Sequence, residues 1–419
     1  MSQKPWGHGT LRVATSARSL EHADGTPFFY LADTCWEMVH RLSLEEATKL
    51  IETRARQGFN VLQVVALAEL DGIRSPNFYG DRPLVAEDPL RPDDAGGYWR
   101  YLDQLFDVAE ANGLYIGLLP TWGDKVNQAW GAGPVIFANE TARAFGEWIG
   151  SRYGHRPNLI WVNGGDRDPS GYETVWTALA EGFLSRESVS HVTTFHPQGE
   201  QSSAMHFHGE EWLDFNMLQT GHGSLSLDHV YRMTVAAYQR MPLKPVLDGE
   251  PRYENHPIGF NAQNGYFDAG DVRQAVYVGL FLGGCGFTYG CHAVWQFASQ
   301  RHEPVNNPIA NWEYSLELPG ANQVARVRDI LFALGFPDVS PTTLIVADNQ
   351  PYPALRTADG VAIYSHDGGT VRTLAAYEYG EWLDTRNSET LLAKSINGRE
   401  WNPPASGSRV NDWVLRLRD

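Results

Sequence analysis

Two acidic residues stand out by what flanks them. Asp166 closes the string Asn163–Gly164–Gly165–Asp166, and Glu250 sits in Asp248–Gly249–Glu250–Pro251. Glycines beside an acid let the backbone approach a ligand closely and let the acid turn inward. Pro251 fixes the chain just after Glu250. Two carboxyl groups that face each other across a cleft can break a glycosidic bond. One protonates the leaving oxygen; the other attacks the anomeric carbon or activates water. Asp166 is the expected acid/base and Glu250 the expected nucleophile of a retaining hydrolase, with inversion as the alternative because the shorter Asp side chain widens the gap between the carboxyl groups. Arg252 is expected to keep Glu250 ionised, because a nearby cation favours the charged carboxylate. The structural alternatives are a helix cap or an Arg167 ion pair for Asp166, and a buried ion pair for Glu250.

Such a pair works only if the fold carries both residues to one place. Short apolar runs of the kind buried on both faces recur along the chain. They are 28–34, 61–67, 115–120, 159–163, 191–195, 215–219, 245–248 and 287–289. Helical patterns separate most of them, at 43–57, 97–112, 139–153, 172–185, 227–240 and 271–282, with a last one at 320–334. Ser43 with Glu46 three residues on forms a capping box, and Gly58 is a stop. Eight alternating units over roughly 300 residues predict a (β/α)8 barrel rather than an open sheet. No Gly-rich dinucleotide turn follows the first strand.

A barrel places chemistry at the C-terminal ends of its strands. Those ends carry Asp33 and Trp36, then Glu69, then Trp122, Asp124 and Lys125, then Asp166. His196, Gln219, His222, Glu250, Arg252, His292 and Trp295 follow. Strands four and seven lie across the mouth from each other, so Asp166 and Glu250 should face. Trp36, Trp122 and Trp295 are the stacking candidates. Asp33, Glu69, Asp124, Lys125, His196, Gln219, His222, Arg252 and His292 are candidates for sugar hydroxyls. The histidines sit singly on different loops, with neither HExxH nor a compact His/Cys cluster. No metal and no cofactor are expected.

Composition narrows the classes. The net charge of −17 repels nucleic acid and anionic membranes. The 14 Trp residues favour a carbohydrate ligand, since flat faces with one polar edge suit sugar rings. Three cysteines, Cys35, Cys285 and Cys291, are too few and too apolar in setting for a disulfide framework. The N-terminus lacks an apolar signal core, so a cytoplasmic location is expected. No run is long enough to span a membrane.

After residue 335 the texture changes. Stretches 342–347, 360–365, 371–376 and 413–417 read as short strands between turn signals. The expected organisation is an N-terminal β hairpin at 1–26, a catalytic barrel at 27–335 and a C-terminal antiparallel β-sandwich at 336–419. The hairpin is expected to pack on the barrel or on the β domain. A homo-oligomer is compatible with the sequence.

Several long strings then become recognisable in order. FFYLADTCWEMVHRL, GFNVLQVVALAELDG, GLYIGLLPTWGDKVN, NGGDRD, TFHPQG, KPVLDGEPRYE and FTYGCHAVWQF resemble the apiosidase-like glycoside hydrolases, glycoside hydrolase family 140. The C-terminal region resembles the β domain, labelled collagen-binding, that accompanies this barrel. The resemblance implies a TIM barrel, no cofactor, and a furanosidase-type hydrolase acting on an oligosaccharide or glycoside, apiose in complex pectin being the characterised case. It maps the family's catalytic Asp onto Asp166 and its catalytic Glu onto Glu250. The competing readings are a non-catalytic carbohydrate-binding barrel and a metal-dependent hydrolase.

Overall fold

Capping and periodicity decide where the elements begin and end, and a computed structural model describes the result for residues 4–343 and 352–418. The capping box at Ser43 is formed: its hydroxyl accepts from the Glu46 N–H while the Glu46 carboxylate accepts from the Ser43 N–H. Helix α1 (Leu44–Gln57) runs from there to Gly58, which closes it in the left-handed conformation.

Eight strands follow the expected positions. They are β1 (Tyr30–Thr34), β2 (Val61–Val65), β3 (Tyr115–Leu119), β4 (Leu159–Gly164), β5 (Thr193–His196), β6 (Asn216–Gln219), β7 (Val246–Asp248) and β8 (Gly286–Tyr289). They pair in parallel, and β8 pairs with β1 through Gly286 with Tyr30, so the sheet curls on itself. Between β5 and β6 the seam is held by Asp214 and Thr193. The Asp214 N–H donates to the Thr193 carbonyl at 2.9 Å, and the Thr193 N–H to the Asp214 carboxylate at 2.7 Å. A two-residue strand, Gln201–Ser202, adds antiparallel to β6.

Side-chain alternation sorts the barrel into two cores. Tyr30, Ala32, Val61, Val65, Ile160, Val162 and Met217 fill the lumen. Leu31, Leu62, Val64, Leu118, Trp161 and Phe195 face the outer helices. Those helices include α2 (Tyr98–Ala111), α3 (Asn139–Tyr153), α4 (Glu173–Leu184), α5 (Asp228–Gln239) and α6 (Ala269–Phe281). No α-helix separates β5 from β6, in keeping with the sequence spacing; the strand Gln201–Ser202 and a 3-10 turn at Ser203–Met205 lie between them.

The N-terminal segment forms three strands, Leu11–Val13, Leu20–His22 and Pro27–Phe28. Leu11, Leu20 and Phe28 join the lumen core, and Trp6 packs edge-on against Tyr115 at 5.7 Å. The segment therefore plugs the barrel floor.

The C-terminal region is a six-stranded antiparallel sheet with a two-stranded ribbon, Val371–Arg372 with Glu400–Trp401. Residues 344–347 of the expected strand at 342–347 lie outside the described residues. One face of the sheet, with Ala362, Tyr364 and Val414, joins the barrel core. The other, with Val361, Ile363 and Leu415, packs under the ribbon with Trp401. Tyr364 stacks on Tyr277 of α6 at 4.9 Å. Arg273 of α6 grips Asp412 with Nη2–Oδ1 2.7 Å and Nε–Oδ2 3.1 Å, both side chains buried. All three cysteines are buried and unpaired. Among the described residues no helix is long and apolar enough to cross a membrane.

Candidate active site

The barrel mouth encloses a cavity of about 580 Å³. Asp166 and Glu250 both line it, together with Trp36, Glu69, Trp122, Gln219, His222 and Trp295. Eight of the residues expected at the rim thus converge on one space.

The glycines before Asp166 are required by contact. A Cβ on Gly164 would stand 2.4 Å from the His196 carbonyl oxygen, and Gly164 holds φ +86°. A side chain there would collide with β5 and disfavour the backbone as well. Asp166 itself adopts φ +51°, a left-handed conformation that Asp tolerates better than most residues. The turn this creates delivers the carboxyl into the cavity. Burial pushes its proton affinity up, and the charges of Glu250 and Glu69 push further in the same direction. Arg167, with Nη1 3.2 Å from Asp166 Oδ2, and Gln219 oppose the rise without cancelling it.

Glu250 has the opposite setting. His222 Nε2 lies 3.0 Å from Oε1, and His196 Nε2 lies 3.1 Å from Oε2. An ionised carboxylate only accepts hydrogen bonds, so the His222 Nε2 must carry its proton. Burial would raise Glu250, yet the two imidazoles outweigh it and hold the carboxyl at about 2. His196 is in turn walled by Trp36 and Trp122, with ring centres 5.3 and 5.7 Å away. Tyr253 closes this side of the cavity. Its hydroxyl accepts from Trp36 Nε1 at 3.1 Å, and its ring lies 4.3 Å from His222.

Five expected rim residues lie elsewhere. Arg252 does not hold Glu250. It is buried away from the cavity, donating to the carbonyls of Leu225, Ser226 and Asp271. It braces the loop after β6 against α6. Asp33 has the wrong parity on β1 and faces α1, where Arg54 Nε meets it at 2.6 Å with both side chains fully buried. Asp124 and Lys125 pair with each other at 2.7 Å, and the Asp124 carboxylate also accepts from the Gly133 N–H at 2.8 Å. They anchor the loop after β3. His292 accepts the Trp295 Nε1–H at 3.2 Å on Nδ1, and its Nε2 donates to the Asn306 carbonyl at 3.0 Å. Burial depresses it to about 4, so it orients Trp295 as a neutral ring. His196 reaches the cavity only through Glu250.

Other lining residues escaped the strand-end reading. Trp130, Glu200 and His256 project from loops, and Phe260 from the 3-10 turn Ile258–Phe260, rather than from the ends of barrel strands. Trp130 is 61% exposed, with the Arg167 guanidinium 4.1 Å from its ring centre. Its only sequence signal is a tryptophan in the Gly-rich stretch AWGAG. Tyr253 and His256 follow Glu250 closely, which was the available signal for them.

The family model for the apiosidase-like catalytic domain matches residues 14–337. The chain belongs to the apiosidase-like family. A solved glycoside hydrolase, described as family 5, from Bacteroides vulgatus ATCC 8482 is 29% identical. It matches with a TM-score of 0.90 over 100% of this chain and 95% of its own. A second structure, described as a glycoside hydrolase, is also 29% identical, with TM-score 0.91 over 100% of this chain and 99% of its own. No curated protein matches. This apiosidase-like chain is therefore a TIM-barrel glycosidase, and its substrate is a carbohydrate.

Proposed function

We propose that this enzyme cleaves a furanoside or apiose-type glycosidic bond in an oligosaccharide or small glycoside, with retention of anomeric configuration. Asp166 is the general acid/base and Glu250 the nucleophile. One observation carries the assignment: two carboxyl groups share one cavity with opposite proton affinities, Glu250 held down at about 2 and Asp166 pushed well up. Environments that drive two acids apart in this way sort them into base and acid roles.

The reaction follows. Protonated Asp166 gives its proton to the glycosidic oxygen as a Glu250 oxygen attacks the anomeric carbon. The bond to the leaving group breaks and a glycosyl ester forms. Asp166, now ionised, removes a proton from water, which attacks the same carbon and frees Glu250. Trp36 and Tyr253 form the wall beside Glu250, where the cleaved sugar sits against ring faces. The furanose preference rests on membership of the apiosidase-like family.

A panel of nitrophenyl glycosides, furanosides included, tests the reading. Turnover of at least one furanoside is expected, and proton NMR of the first product should show the starting configuration. A first product of inverted configuration defeats the retaining assignment. Turnover confined to pyranosides defeats the furanoside assignment.

A further inference from the structure

Three histidines stand in file beside Glu250. His222 bonds its carboxylate, His256 lies against His222 with ring centres 4.3 Å apart, and His292 meets His256 at 4.5 Å. They come from the segments after β6, β7 and β8 in turn.

Hydrogen bonding fixes what each ring can offer. His222 Nε2 donates to Glu250, and its Nδ1 is sealed in the wall without a partner. His292 is filled at both nitrogens, accepting from Trp295 at Nδ1 and donating from Nε2 to the Asn306 carbonyl. His256 differs. Its Nδ1 lies 2.7 Å from the Pro257 carbonyl oxygen. A carbonyl only accepts, so Nδ1 carries the proton. Nε2 is left as a lone pair with no partner among the described residues. His256 lines the cavity, and this nitrogen opens onto it.

The surroundings keep that lone pair free. Burial holds the ring neutral, and charge on His222 or His292 opposes its protonation further. The Pro257 carbonyl pulls the other way without cancelling them. Phe260 stands edge-on to the ring at 5.0 Å. At Nε2 the ring therefore accepts a hydrogen bond and does not donate one.

Position decides what meets it. The nucleophile attacks the anomeric carbon, so the groups packed around Glu250 surround the cleaved sugar. His256 is one ring removed from Glu250, through His222. A sugar brings two kinds of oxygen to such a place. Ring and ether oxygens have only lone pairs, whereas a hydroxyl has a proton to give.

We infer that His256 is a specificity-determining residue whose Nε2 accepts a hydrogen bond from one hydroxyl of the cleaved sugar. The inference rests on the roles proposed above for Asp166 and Glu250. It narrows the substrate class to glycosides whose cleaved sugar keeps that hydroxyl free. Sugars deoxygenated or O-alkylated there leave a buried acceptor unpaired and are disfavoured.

The test maps hydroxyls on the nitrophenyl glycoside that the enzyme turns over. The nitrophenyl group has no hydroxyl, so every effect belongs to the cleaved sugar. Each hydroxyl in turn is replaced by fluorine, which is of similar size but has no proton to give. The kcat/KM ratio of parent to fluorinated compound is measured for the native enzyme and for His256→Phe. Fluorine's own effect on the reaction is common to both enzymes and cancels. At one position the ratio should be about tenfold smaller in His256→Phe, and kcat/KM on the parent compound should fall by about the same factor. His256→Gln, whose amide oxygen can accept in the same place, should restore most of the native ratio. If His256→Phe does not fold, His256→Leu is read in the same way. An unchanged ratio at every position overturns the inference and leaves the hydrolase standing. Failure of the native enzyme to cleave any glycoside defeats the Asp166–Glu250 assignment, and this inference with it.

Discussion

His222 Nε2 sits 3.0 Å from Glu250 Oε1, with its ring wedged between Tyr253 and His256 at 4.3 Å from each. The imidazole is thus fixed in orientation by aromatic neighbours and donates to the carboxylate proposed as the nucleophile. His222→Ala removes that donor. Glu250 should then rise from about 2 toward its ordinary 4.5, moving the acid limb of kcat/KM upward. A loss of about 10–100-fold in kcat/KM near neutrality is expected, the cost of one charge-assisted hydrogen bond. The pH–rate profile checks it. An acid limb that does not move would show that His196 alone suffices. Stability follows the same sign. The folded value lies below the ordinary one, so ionised Glu250 stabilises the fold above about pH 4.5, and that contribution is lost as pH falls toward about 2.

The two carboxyl variants should fail differently. Glu250→Gln removes the proposed nucleophile and should abolish turnover of every substrate. Asp166→Asn should cost about 10²–10⁴-fold on a sugar-linked substrate. It should cost much less with a nitrophenyl leaving group, because that group departs without protonation. Azide added to Asp166→Asn should restore turnover and give a glycosyl azide of retained configuration, since azide attacks the ester without base help. Parallel loss on both substrate types would remove Asp166 from the acid role.

How much of this was legible before the structure comes down to parity and to loops. Alternation along β1 puts Asp33 with Leu31 on the outer face, and that pattern was present in the sequence. Reading the strand end without its parity placed Asp33 wrongly at the rim. The same alternation puts His196 in step with Thr194 and Gln219 in step with Met217, on the inward side. The glycines before Asp166 were legible as a close approach, and the His196 carbonyl is what they approach. The Arg252 error has another cause. Nearness in sequence to Glu250 says nothing about direction once the chain turns at Pro251, and the guanidinium is drawn to backbone carbonyls instead. Trp130 could not be placed, because a long loop has no period from which to read a direction.

Arg167 bridges Glu69 and Asp166, and the two neighbours act on Asp166 with opposite sign. Glu69 raises its proton affinity; Arg167 lowers it. If ionisation of Asp166 sets the alkaline limb, Glu69→Gln should move that limb to lower pH. Arg167→Gln should move it to higher pH. Shifts of roughly 0.5–1 unit are expected for charges at this separation. Both variants need only the pH dependence of kcat/KM on one nitrophenyl glycoside. Shifts in the same direction would mean that lost packing, not charge, governs the response.

Asp412 ties the β domain to α6 of the barrel. Its carboxylate is fully buried and accepts from both Arg273 nitrogens and from the Thr385 hydroxyl at 2.8 Å. Tyr364, stacked on Tyr277, donates its hydroxyl to the same oxygen at 3.2 Å. Removing one partner of such a pair strands the other charge in the interior. Asp412→Ala should therefore cost about 3–5 kcal/mol, read as a lower urea midpoint. Replacing both charges with apolar residues, Arg273→Met with Asp412→Leu, should cost far less, because no charge is left unpaired. Activity measured on the folded fraction should stay near that of the parent, since neither residue reaches the cavity. If Asp412→Ala unfolds at the parental midpoint, the pair does not join the two domains energetically. If instead activity falls with stability intact, the contact acts on the site through α6, whose first turn accepts from Arg252 at the Asp271 carbonyl.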